Sequence, residues 1–413
     1  MKITGLITEY NPFHYGHLYH YKKSKKITNS NAAICIMNGN FTQRGLPAIT
    51  DKWSRAKMAL KAGIDIIIEL PLVYGIRSAH FFAEGAIKLL AATNLVDDFV
   101  FGSESGKIEP LLKIAKFLND NNKEFENEIK NLIKNGYSYP AAREKALKKF
   151  FKEKEIISEI KSPNNILGIE YIRVVLENNI DIKPLTIKRT SNNYHSTKIN
   201  GEFASGSALR RLINNNEIEK LKNLVPKTSF RILKDELNNN KIPVNKNRLT
   251  YSLLTKLRMS SPEKLKNYAE INNGLENRFF NASLKSGNYK ELIENINTKS
   301  ITQNRVQRNL LHILFNLTEK EFNNIDQNGP AYLRVLAFNE KGEKILASLN
   351  KKADLPLITK ISNHLKEINL DSTNPVIKQL SYEILADDIY SLLYKDPKYR
   401  KGRQDFYQKI IRN

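Results

Sequence analysis

Cysteine is almost absent from this chain of 413 residues, since Cys35 is the single one. One thiol allows no disulfide within the chain, no thiolate metal cluster and no cysteine pair for redox exchange. Long apolar runs are also missing: no stretch approaches the roughly 18 to 20 consecutive apolar residues of a membrane-spanning helix. The first residues lack the layout of a signal peptide. We therefore expect a soluble protein that works in the cytoplasm and has no membrane partner.

Acidic residues are too few to balance the basic ones. The chain has 66 lysines and arginines against 43 aspartates and glutamates, a formal net charge of +23. A surplus of this size favours a polyanionic partner, because release of condensed counterions from a nucleic acid drives its binding to cationic side chains. A genome rich in lysine, asparagine and isoleucine codons would produce a similar surplus, so charge alone does not identify the partner.

The apolar runs predict two parts. Residues 1–220 alternate short β-branched runs with helical stretches, which is typical of a parallel sheet with crossover helices. The predicted strands are apolar throughout, as expected for strands buried on both faces. They cover residues 2–8, 32–37, 65–70, 99–102 and 182–188. Residues 221–413 repeat apolar residues at spacings of three and four, which predicts a mainly α-helical part. A chain of this length favours two domains.

The most specific local signal is residues 9–17 (EYNPFHYGH), which follow the first predicted strand and lead into a helix. At this edge of an open α/β sheet, a helix N-terminus offers backbone N–H groups and a positive dipole end to phosphate. Gly16 allows the backbone to approach a ligand closely. His14 and His17 can direct imidazole N–H groups at one phosphate chain. Simple helix capping and a zinc site with His20 are weaker interpretations, the latter because the sequence offers no fourth ligand.

Two further segments carry groups that bind anions. Residues 204–210 (ASGSALR) combine a hydroxyl N-cap at a helix start with Arg210, although an ordinary capped helix is the alternative. Arg189 stands at the end of the last predicted strand of the first part. Together with the His-x-Gly-His motif, these segments resemble the nucleotidyltransferase superfamily, whose members attack the α-phosphate of ATP and release pyrophosphate.

A longer pattern is more distinctive and extends over nearly the whole chain. It consists of residues 37–49 (MNGNFTQRGLPAI), 162–171 (SPNNILGIEY), 274–278 (GLENR) and 332–339 (YLRVLAFN). With the first motif, it resembles the bacterial tRNA(Met) cytidine acetate ligase family. The resemblance implies a Rossmann-like α/β nucleotidyltransferase domain at residues 1–220 and a mainly α-helical, basic, tRNA-binding domain at 221–413. It also implies that ATP and acetate form acetyladenylate, which acetylates N4 of the wobble cytidine of elongator tRNA(Met).

The resemblance implies an ATP site with two catalytic groups. His14 and His17 are the catalytic residues, as donors to the phosphates, and no protein nucleophile is needed. Mg²⁺ is expected to bridge the phosphates and to keep water as most of its ligands. Asn164 and Asn165 are alternatives for one nucleotide contact. The implied ATP-binding residues are Ile7, Thr8, Glu9, Tyr10, Asn11, Pro12, Phe13, His14, Tyr15, Gly16, His17, Leu18, Tyr19, His20, Gly102, Asn164, Asn165, Arg189, Ser205 and Arg210.

Other charged residues are candidates for the remaining tasks. Lys52 and Arg55 are possible contacts for an anionic substrate, with a solvated helix face as the alternative. Acetyl transfer favours a general base, and Glu9, Asp51 and Glu104 are candidates that the sequence does not rank.

Binding of tRNA calls for cations interleaved with aromatic side chains. The C-terminal residues 394–403 (YKDPKYRKGR) have this composition, and a predicted helix adds two arginines, although charge runs often form a solvated face. The candidate tRNA contacts are Arg305, Arg308, Lys398, Arg400, Lys401 and Arg403.

Two other functions are weighed against this one. A small-molecule adenylyltransferase of cofactor biosynthesis would need ATP but no RNA, and a net charge of +23 with a separate helical part disfavours it. An RNA-binding protein with a vestigial nucleotide fold is disfavoured by the intact pair His14 and His17. The sequence leaves the oligomeric state open.

Overall fold

The computed structural model describes residues 1–120, 122–160, 162–189 and 204–413. Within these residues, five parallel strands lie side by side in the order β5-β4-β1-β2-β3. They are β1 (Ile3–Thr8), β2 (Ala32–Asn38), β3 (Ile66–Leu70), β4 (Asp98–Ser103) and β5 (Lys183–Lys188). All except the edge strand β5 are almost wholly buried, which explains why their sequences are continuously apolar. The predicted parallel sheet is confirmed.

Helices cover both faces of this sheet. Successive residues of β2 belong to different cores: Ile34 and Ile36 pack in the core that contains α4 residues, and Ala33 and Cys35 pack in the core that contains α2 residues. The helices are α1 (Tyr15–Thr28), α2 (Lys52–Lys61), α3 (Leu72–Gly75), α4 (Ala79–Ala92), α5 (Glu109–Asn119), α6 (Lys123–Lys134), α7 (Tyr139–Phe150), α8 (Lys154–Glu159), α9 (Pro163–Glu177) and α10 (Gly206–Asn214).

The strand order places a crevice next to β1. From β1 the chain continues to β2 and β3 on one side, and then returns to β4 and β5 on the other side. Ligands of open α/β sheets bind at such a switch point, beyond the carboxyl ends of the strands. The turn after β1, which contains the His-x-Gly-His motif, lies at this position.

Residues beyond 220 are mainly helical, as the spacing of their apolar residues predicts. The helices are α11 (Lys227–Asn238), α12 (Lys246–Arg258), α13 (Pro262–Leu265), α14 (Leu275–Lys285), α15 (Tyr289–Ile296), α16 (Gln303–Leu314), α17 (Glu319–Asn328), α18 (Glu340–Lys352), α19 (Pro375–Ser391) and α20 (Gln404–Tyr407). Short 3₁₀ turns occur at Ile218–Leu221, Ile361–Asn363 and Pro397–Tyr399. No helix of the described ranges is long and apolar enough to cross a membrane.

The second part also contributes strands, which the sequence analysis did not predict. β6 (Leu333–Phe338) pairs antiparallel with β3, and β7 (Leu357–Ile358) and β8 (Ile411–Arg412) pair parallel with β6. These strands extend the five-stranded sheet, so the two parts of the chain share one sheet. The fold class, a parallel α/β sheet followed by a mainly helical part, is confirmed with this addition.

Candidate active site

A cavity of about 1340 Å³ lies at the carboxyl ends of the central strands. Its lining includes Thr8 at the end of β1, Gly102 near the end of β4 and Lys188 at the end of β5, together with Arg305 and Arg308 of α16. Typical small-molecule sites occupy roughly 300 to 1,000 Å³. This cavity is therefore large enough for more than one small substrate, and both parts of the chain contribute to it.

His14 and His17 are fixed by the start of α1. His14 is the N-cap residue, and its Nδ1 accepts the backbone N–H of Gly16 at 3.0 Å. His17 Nδ1 accepts the backbone N–H of His14 at 3.3 Å, and the two rings stack with their centroids 3.8 Å apart. Because both Nδ1 atoms are acceptors, each neutral ring carries its hydrogen on Nε2. The motif thus orders two Nε2–H donors on residues that line the cavity.

Both imidazoles are neutral at physiological pH. Burial, assisted by the positive charges of Arg189 and Arg210, lowers the pKa of His14 from 6.5 to about 3. Burial and then the neighbouring His14 lower the pKa of His17 well below its ordinary value. A neutral imidazole donates a hydrogen bond without first needing a proton from solvent, so the pair can bind phosphate as dipolar donors. Arg189 and Arg210 supply full positive charges beside the two neutral rings.

Helix α10 brings Arg210 to the turn that contains the histidines. Ser205 Oγ caps the helix by accepting the N–H of Ala208 at 3.2 Å. Arg210 Nη1 donates to the carbonyl oxygen of Asn11 at 2.6 Å. A Cβ added at Gly206 would lie 3.1 Å from Arg210 Nη1, so the glycine leaves room for the guanidinium. The capped helix and its arginine meet the histidine turn, as the sequence predicts for a phosphate clamp.

Arg189 lies across the end of β4. Its backbone N–H donates to the carbonyl of Ser103 at 3.0 Å. A Cβ added at Gly102 would lie 3.0 Å from Arg189 Cγ, which explains why glycine suits this position. Both residues line the cavity with His14 and His17. The site therefore combines two neutral donors with two guanidinium groups that sequence reasoning had brought together.

Comparison with known proteins identifies the family. A family model described as HIGH Nucleotidyl Transferase matches residues 1–405. The tRNA(Met) cytidine acetate ligase of Halothermothrix orenii is 49% identical, and the comparison covers 100% of both chains. The protein of the same name from Acetivibrio thermocellus is 43% identical, again with 100% of both chains covered. The chain belongs to the tRNA(Met) cytidine acetate ligase family.

Solved structures of a family member support the same conclusion. Thermotoga maritima TmcAL in its apo form I matches with a TM-score of 0.94 at 34% identity, covering 100% of this chain and 99% of that one. Form II of the same protein, bound with alpha-thio ATP, matches with a TM-score of 0.91 at 33% identity over 100% of both chains. These likenesses confirm both the fold class and the family resemblance inferred from the sequence.

The structure separates the two asparagines that the family resemblance left as alternatives. Asn164 lines the cavity, and its Nδ2 donates to Glu104 Oε1 at 3.0 Å. Asn165 is fully buried outside the lining; its Oδ1 accepts the N–H of Glu104 at 3.1 Å, and its Nδ2 donates to Glu159 Oε2 at 2.6 Å. Asn164 is therefore the one placed to contact a ligand, and Asn165 holds the loop after β4.

Most of the predicted nucleotide-binding stretch of this acetate ligase family member lines the cavity. The residues of the stretch in the lining are Ile7, Thr8, Glu9, Tyr10, Asn11, His14, Gly16, His17, Tyr19 and His20. Those outside it are Pro12, Phe13, Tyr15 and Leu18. Phe13 instead packs its buried ring against Tyr10, with centroids 4.8 Å apart. Most of the stretch therefore lines the cavity, and Phe13 packs behind it.

The structure places Lys52 away from the cavity, which corrects its assignment as a possible anion contact. Its side chain is 1% exposed, and Nζ lies 3.0 Å from Glu69, 3.2 Å from Asp387 and 3.1 Å from Asp405. Burial and Arg334 act to lower the pKa of Lys52, but the three carboxylates raise it above its ordinary value. Lys52 is a permanent cation inside a buried ionic cluster.

Arg55 needs the same correction. Its guanidinium is fully buried and donates to backbone carbonyls: Nε to Thr50 at 3.2 Å, and Nη1 to Glu9 at 2.7 Å and Asn38 at 3.0 Å. Nη2 donates to the carbonyl of Gly39. Arg55 therefore ties the ends of β1 and β2 to the loop that follows β2. The sequence shows the charge of Arg55, but it does not show that these backbone carbonyls accept its hydrogen bonds.

The predicted tRNA contacts fall into two groups. Arg305 and Arg308 line the cavity, and Arg305 Nη2 donates to the carbonyl of Glu270 at 3.0 Å. The Nε atoms of both arginines are buried and have no hydrogen-bond partner among the described residues. The loop after β2 docks beside them, because a Cβ added at Gly45, where φ is +77°, would overlap the backbone of Arg308.

The C-terminal group lies outside the cavity lining. Lys398 Nζ is 3.2 Å from Asp396, Arg400 Nε donates to the carbonyl of Tyr394 at 2.8 Å, and Arg403 Nε lies 3.8 Å from Asp388. Lys401 is exposed. This group forms a separate basic surface whose charges are partly engaged in local contacts.

Several charged residues of the lining were not predicted from the sequence, among them Arg44, Lys246 and Glu270. Arg44 stands in the distinctive segment 37–49, so its position in the loop that follows β2 was the available signal. Lys246 and Glu270 come from the helical part and carried no local signal, because the tertiary fold alone brings them to the sheet.

Proposed function

We propose that this protein uses ATP to convert acetate into acetyladenylate and then acetylates N4 of the wobble cytidine of elongator tRNA(Met), working in the cytoplasm. The observation that carries the proposal is the convergence of two ordered imidazole donors and two arginines in one cavity at the switch point of the sheet. Full-length similarity to tRNA(Met) cytidine acetate ligases supports the choice of reaction. The alpha-thio ATP bound by a structural neighbour supports ATP as the nucleotide.

The first step requires positioning and charge stabilisation. Acetate is already a carboxylate, so attack on the α-phosphate needs no base, and pyrophosphate carries the charge away. His14 and His17 would donate through Nε2 to phosphate oxygens, and Arg210 would add charge where negative charge develops. These donors are held by backbone contacts before substrate arrives, which lowers the reorganisation needed during reaction.

Mg²⁺ is proposed to enter with ATP. The described residues contain no group of three or more histidine, cysteine, aspartate or glutamate side chains that could hold a metal. Without such a cluster among these residues, a cation would be held mainly by nucleotide phosphates and water. When bound, Mg²⁺ would neutralise phosphate charge, while the histidines and arginines would orient the triphosphate.

The tRNA is proposed to reach the cavity along the second part of the chain, with residues 1–220 carrying the ATP chemistry and residues 221–413 carrying most tRNA contacts. Arg305 and Arg308 are proposed to hold phosphates beside the target nucleotide, because they line the same cavity as the ATP-binding turn. Proteins commonly recognise an RNA loop by splaying a base into a pocket. Lys398, Arg400, Lys401 and Arg403 would contact more distant phosphates.

Salt dependence tests the tRNA-binding proposal. The double variant Arg305→Gln and Arg308→Gln should bind tRNA more weakly, with a log Kd versus log salt slope shallower by roughly 0.7 per lost phosphate contact. Lys344→Gln on α18, where the lysine is exposed and outside the lining, is the charge-matched control for one substitution. An unchanged slope for the double variant would assign both arginines to the fold.

The reaction itself is tested by exchange of labelled pyrophosphate into ATP. We expect exchange to depend on acetate and to be slower with propionate or with no acid. Exchange supported only by a different acid would contradict the acetate assignment. Exchange without any acetylation of tRNA would favour a small-molecule adenylyltransferase.

A further inference from the structure

The acetyl-transfer step has a chemical requirement that the two imidazole donors and the guanidinium groups of the site do not meet. The exocyclic amine of cytosine is a weak nucleophile because its lone pair is conjugated with the ring, and it must lose a proton as the new amide forms. A carboxylate is a suitable acceptor. Among the described residues, the carboxylates in the cavity lining are Glu9, Glu144, Glu170 and Glu270.

Glu170 is already saturated by cations. Its side chain is 1% exposed, with Oε1 2.6 Å from Arg143 and Oε2 2.9 Å from Arg173 and 3.1 Å from His80 Nδ1. Both oxygens therefore have strong partners. A proton acceptor needs an oxygen that can face the substrate, and Glu170 offers none.

Glu144 and Glu270 are also poorly suited. Glu144 pairs with Lys148 one turn later on the same helix. Burial acts to raise the pKa of Glu270, but its neighbours, led by His312 and Arg308, lower it below the ordinary value. A carboxylate whose charge is stabilised in this way is a weaker base.

The other two candidates from the sequence are outside the cavity lining. Asp51 caps α2, with Oδ1 accepting the N–H of Ser54 at 2.7 Å and Oδ2 accepting the hydroxyl of Tyr394 at 2.9 Å. Glu104 Oε1 accepts from Asn164 Nδ2 at 3.0 Å and helps to hold that side chain. The structure thus ranks three residues that the sequence left equal, and it favours Glu9.

Glu9 accepts hydrogen bonds through one oxygen only, and its charge also interacts with the guanidinium groups of Arg44 and Arg210, whose pKa values it acts to raise. Its Oε1 accepts the backbone N–H of Gln43 at 2.8 Å and Asn38 Nδ2 at 3.3 Å, while Oε2 has no hydrogen-bond partner among the described residues. The backbone is fixed as well, because the carbonyl of Glu9 accepts from the buried Arg55 at 2.7 Å. The same turn continues to His14, so this carboxylate lines the same cavity as the proposed phosphate donors.

We propose that Glu9 Oε2 accepts the proton of the cytosine amine during acetyl transfer. N4 attacks the acetyl carbonyl carbon, the bond between that carbon and the phosphate oxygen breaks, and AMP leaves with the electron pair. One proton passes from N4 to Glu9 and then to solvent, so the products are N4-acetylcytidine, AMP and one proton. This inference deepens the proposed function and rests on it.

Two substitutions distinguish proton transfer from a structural role. Glu9→Gln keeps the side-chain length and an Oε1 acceptor for Gln43 and Asn38, but it removes the basic oxygen. Glu9→Asp keeps a carboxylate and shortens it by one methylene. If Glu9 accepts the proton, acetyl transfer should be fastest in the wild type, slower in Glu9→Asp and slowest in Glu9→Gln. The rate of Glu9→Gln should be about 100-fold or more below that of the wild type. A structural role predicts instead that Glu9→Gln transfers the acetyl group faster than Glu9→Asp.

The experiment measures two rates for each full-length variant: acetate-dependent pyrophosphate exchange, and single-turnover acetylation of elongator tRNA(Met). We expect the ratio of acetylation to exchange to fall by about 100-fold or more in Glu9→Gln, and to stay at the wild-type value in Glu343→Gln, an exposed control in the first turn of α18. An unchanged ratio in Glu9→Gln, or a Gln rate above the Asp rate, overturns the inference. Absence of acetate-dependent exchange in the wild type would instead overturn the proposed function.

Discussion

Replacement of Lys52 by methionine tests whether the buried ionic cluster around this lysine stabilises the fold or binds the substrate. The ammonium lies within 3.0 to 3.2 Å of the carboxylates of Glu69, Asp387 and Asp405. Arg334 would be the remaining cation, with contacts of 2.8 Å to Glu69 and 2.6 Å to Asp405. Removal of one partner from a buried ion pair costs about 3 to 5 kcal/mol, because it leaves uncompensated charge. That loss is a large fraction of the roughly 5 to 15 kcal/mol by which a domain is stable.

Urea unfolding at pH 7.5, followed by circular dichroism, measures the loss. The control is Lys344→Met, an exposed substitution expected to change stability by less than about 0.5 kcal/mol. The loss in Lys52→Met should shrink as the pH falls, since protonation neutralises the orphaned carboxylates. A Lys52→Met variant that is as stable as the wild type but binds ATP tenfold more weakly would refute this reasoning. It would show that Lys52 contacts the substrate.

Four further predictions concern the site and the loop that follows β2. His17→Ala should slow acetate-dependent pyrophosphate exchange by about 100- to 1,000-fold, the effect of losing one donor to developing charge; an unchanged rate would remove its phosphate role. In NMR titration of the ligand-free protein, His14 and His17 should not titrate between pH 5 and 8, and a midpoint near 6.5 would contradict their burial. Because the folded-state pKa of His14 is about 3, acidification from pH 7.5 to 5 should favour the unfolded chain by roughly 2 kcal/mol through this residue, measured as the difference from His14→Asn. Gly45→Ala should cost about 1 to 3 kcal/mol in urea unfolding, because alanine disfavours a φ of +77°; wild-type stability would contradict the close docking on α16.

The strands β1 to β4 could be predicted because buried parallel strands produce continuous apolar runs, a local property. β5 was predicted as well, although only Ile187 in it is buried. β6 was missed because Arg334 interrupts its apolar run, and the sequence does not show that Glu69 and Asp405 neutralise this arginine. A strand with a buried charge depends on partners that are distant in sequence. Such partners become visible only in the folded chain.

The residues of the candidate site likewise differ in whether a local signal or a distant partner determines their role. His14 and His17 were predictable because one short turn contains both the donors and the backbone groups that orient them. Lys52 and Arg55 were misassigned because charge at a helix start looks alike whether it faces a ligand or a buried carboxylate. Glu9 was one of three equal candidates. Its position in the lining separates it from Asp51 and Glu104, and its single engaged oxygen separates it from Asp51, both of whose oxygens accept hydrogen bonds.

The most direct measurement of the central claim is mass analysis of nucleosides from elongator tRNA(Met) after incubation with the protein, ATP and carbon-13-labelled acetate. The proposed chemistry predicts labelled N4-acetylcytidine at the wobble position, formed only when both ATP and acetate are present. Unmodified cytidine at that position, from a preparation that exchanges pyrophosphate into ATP, would contradict it.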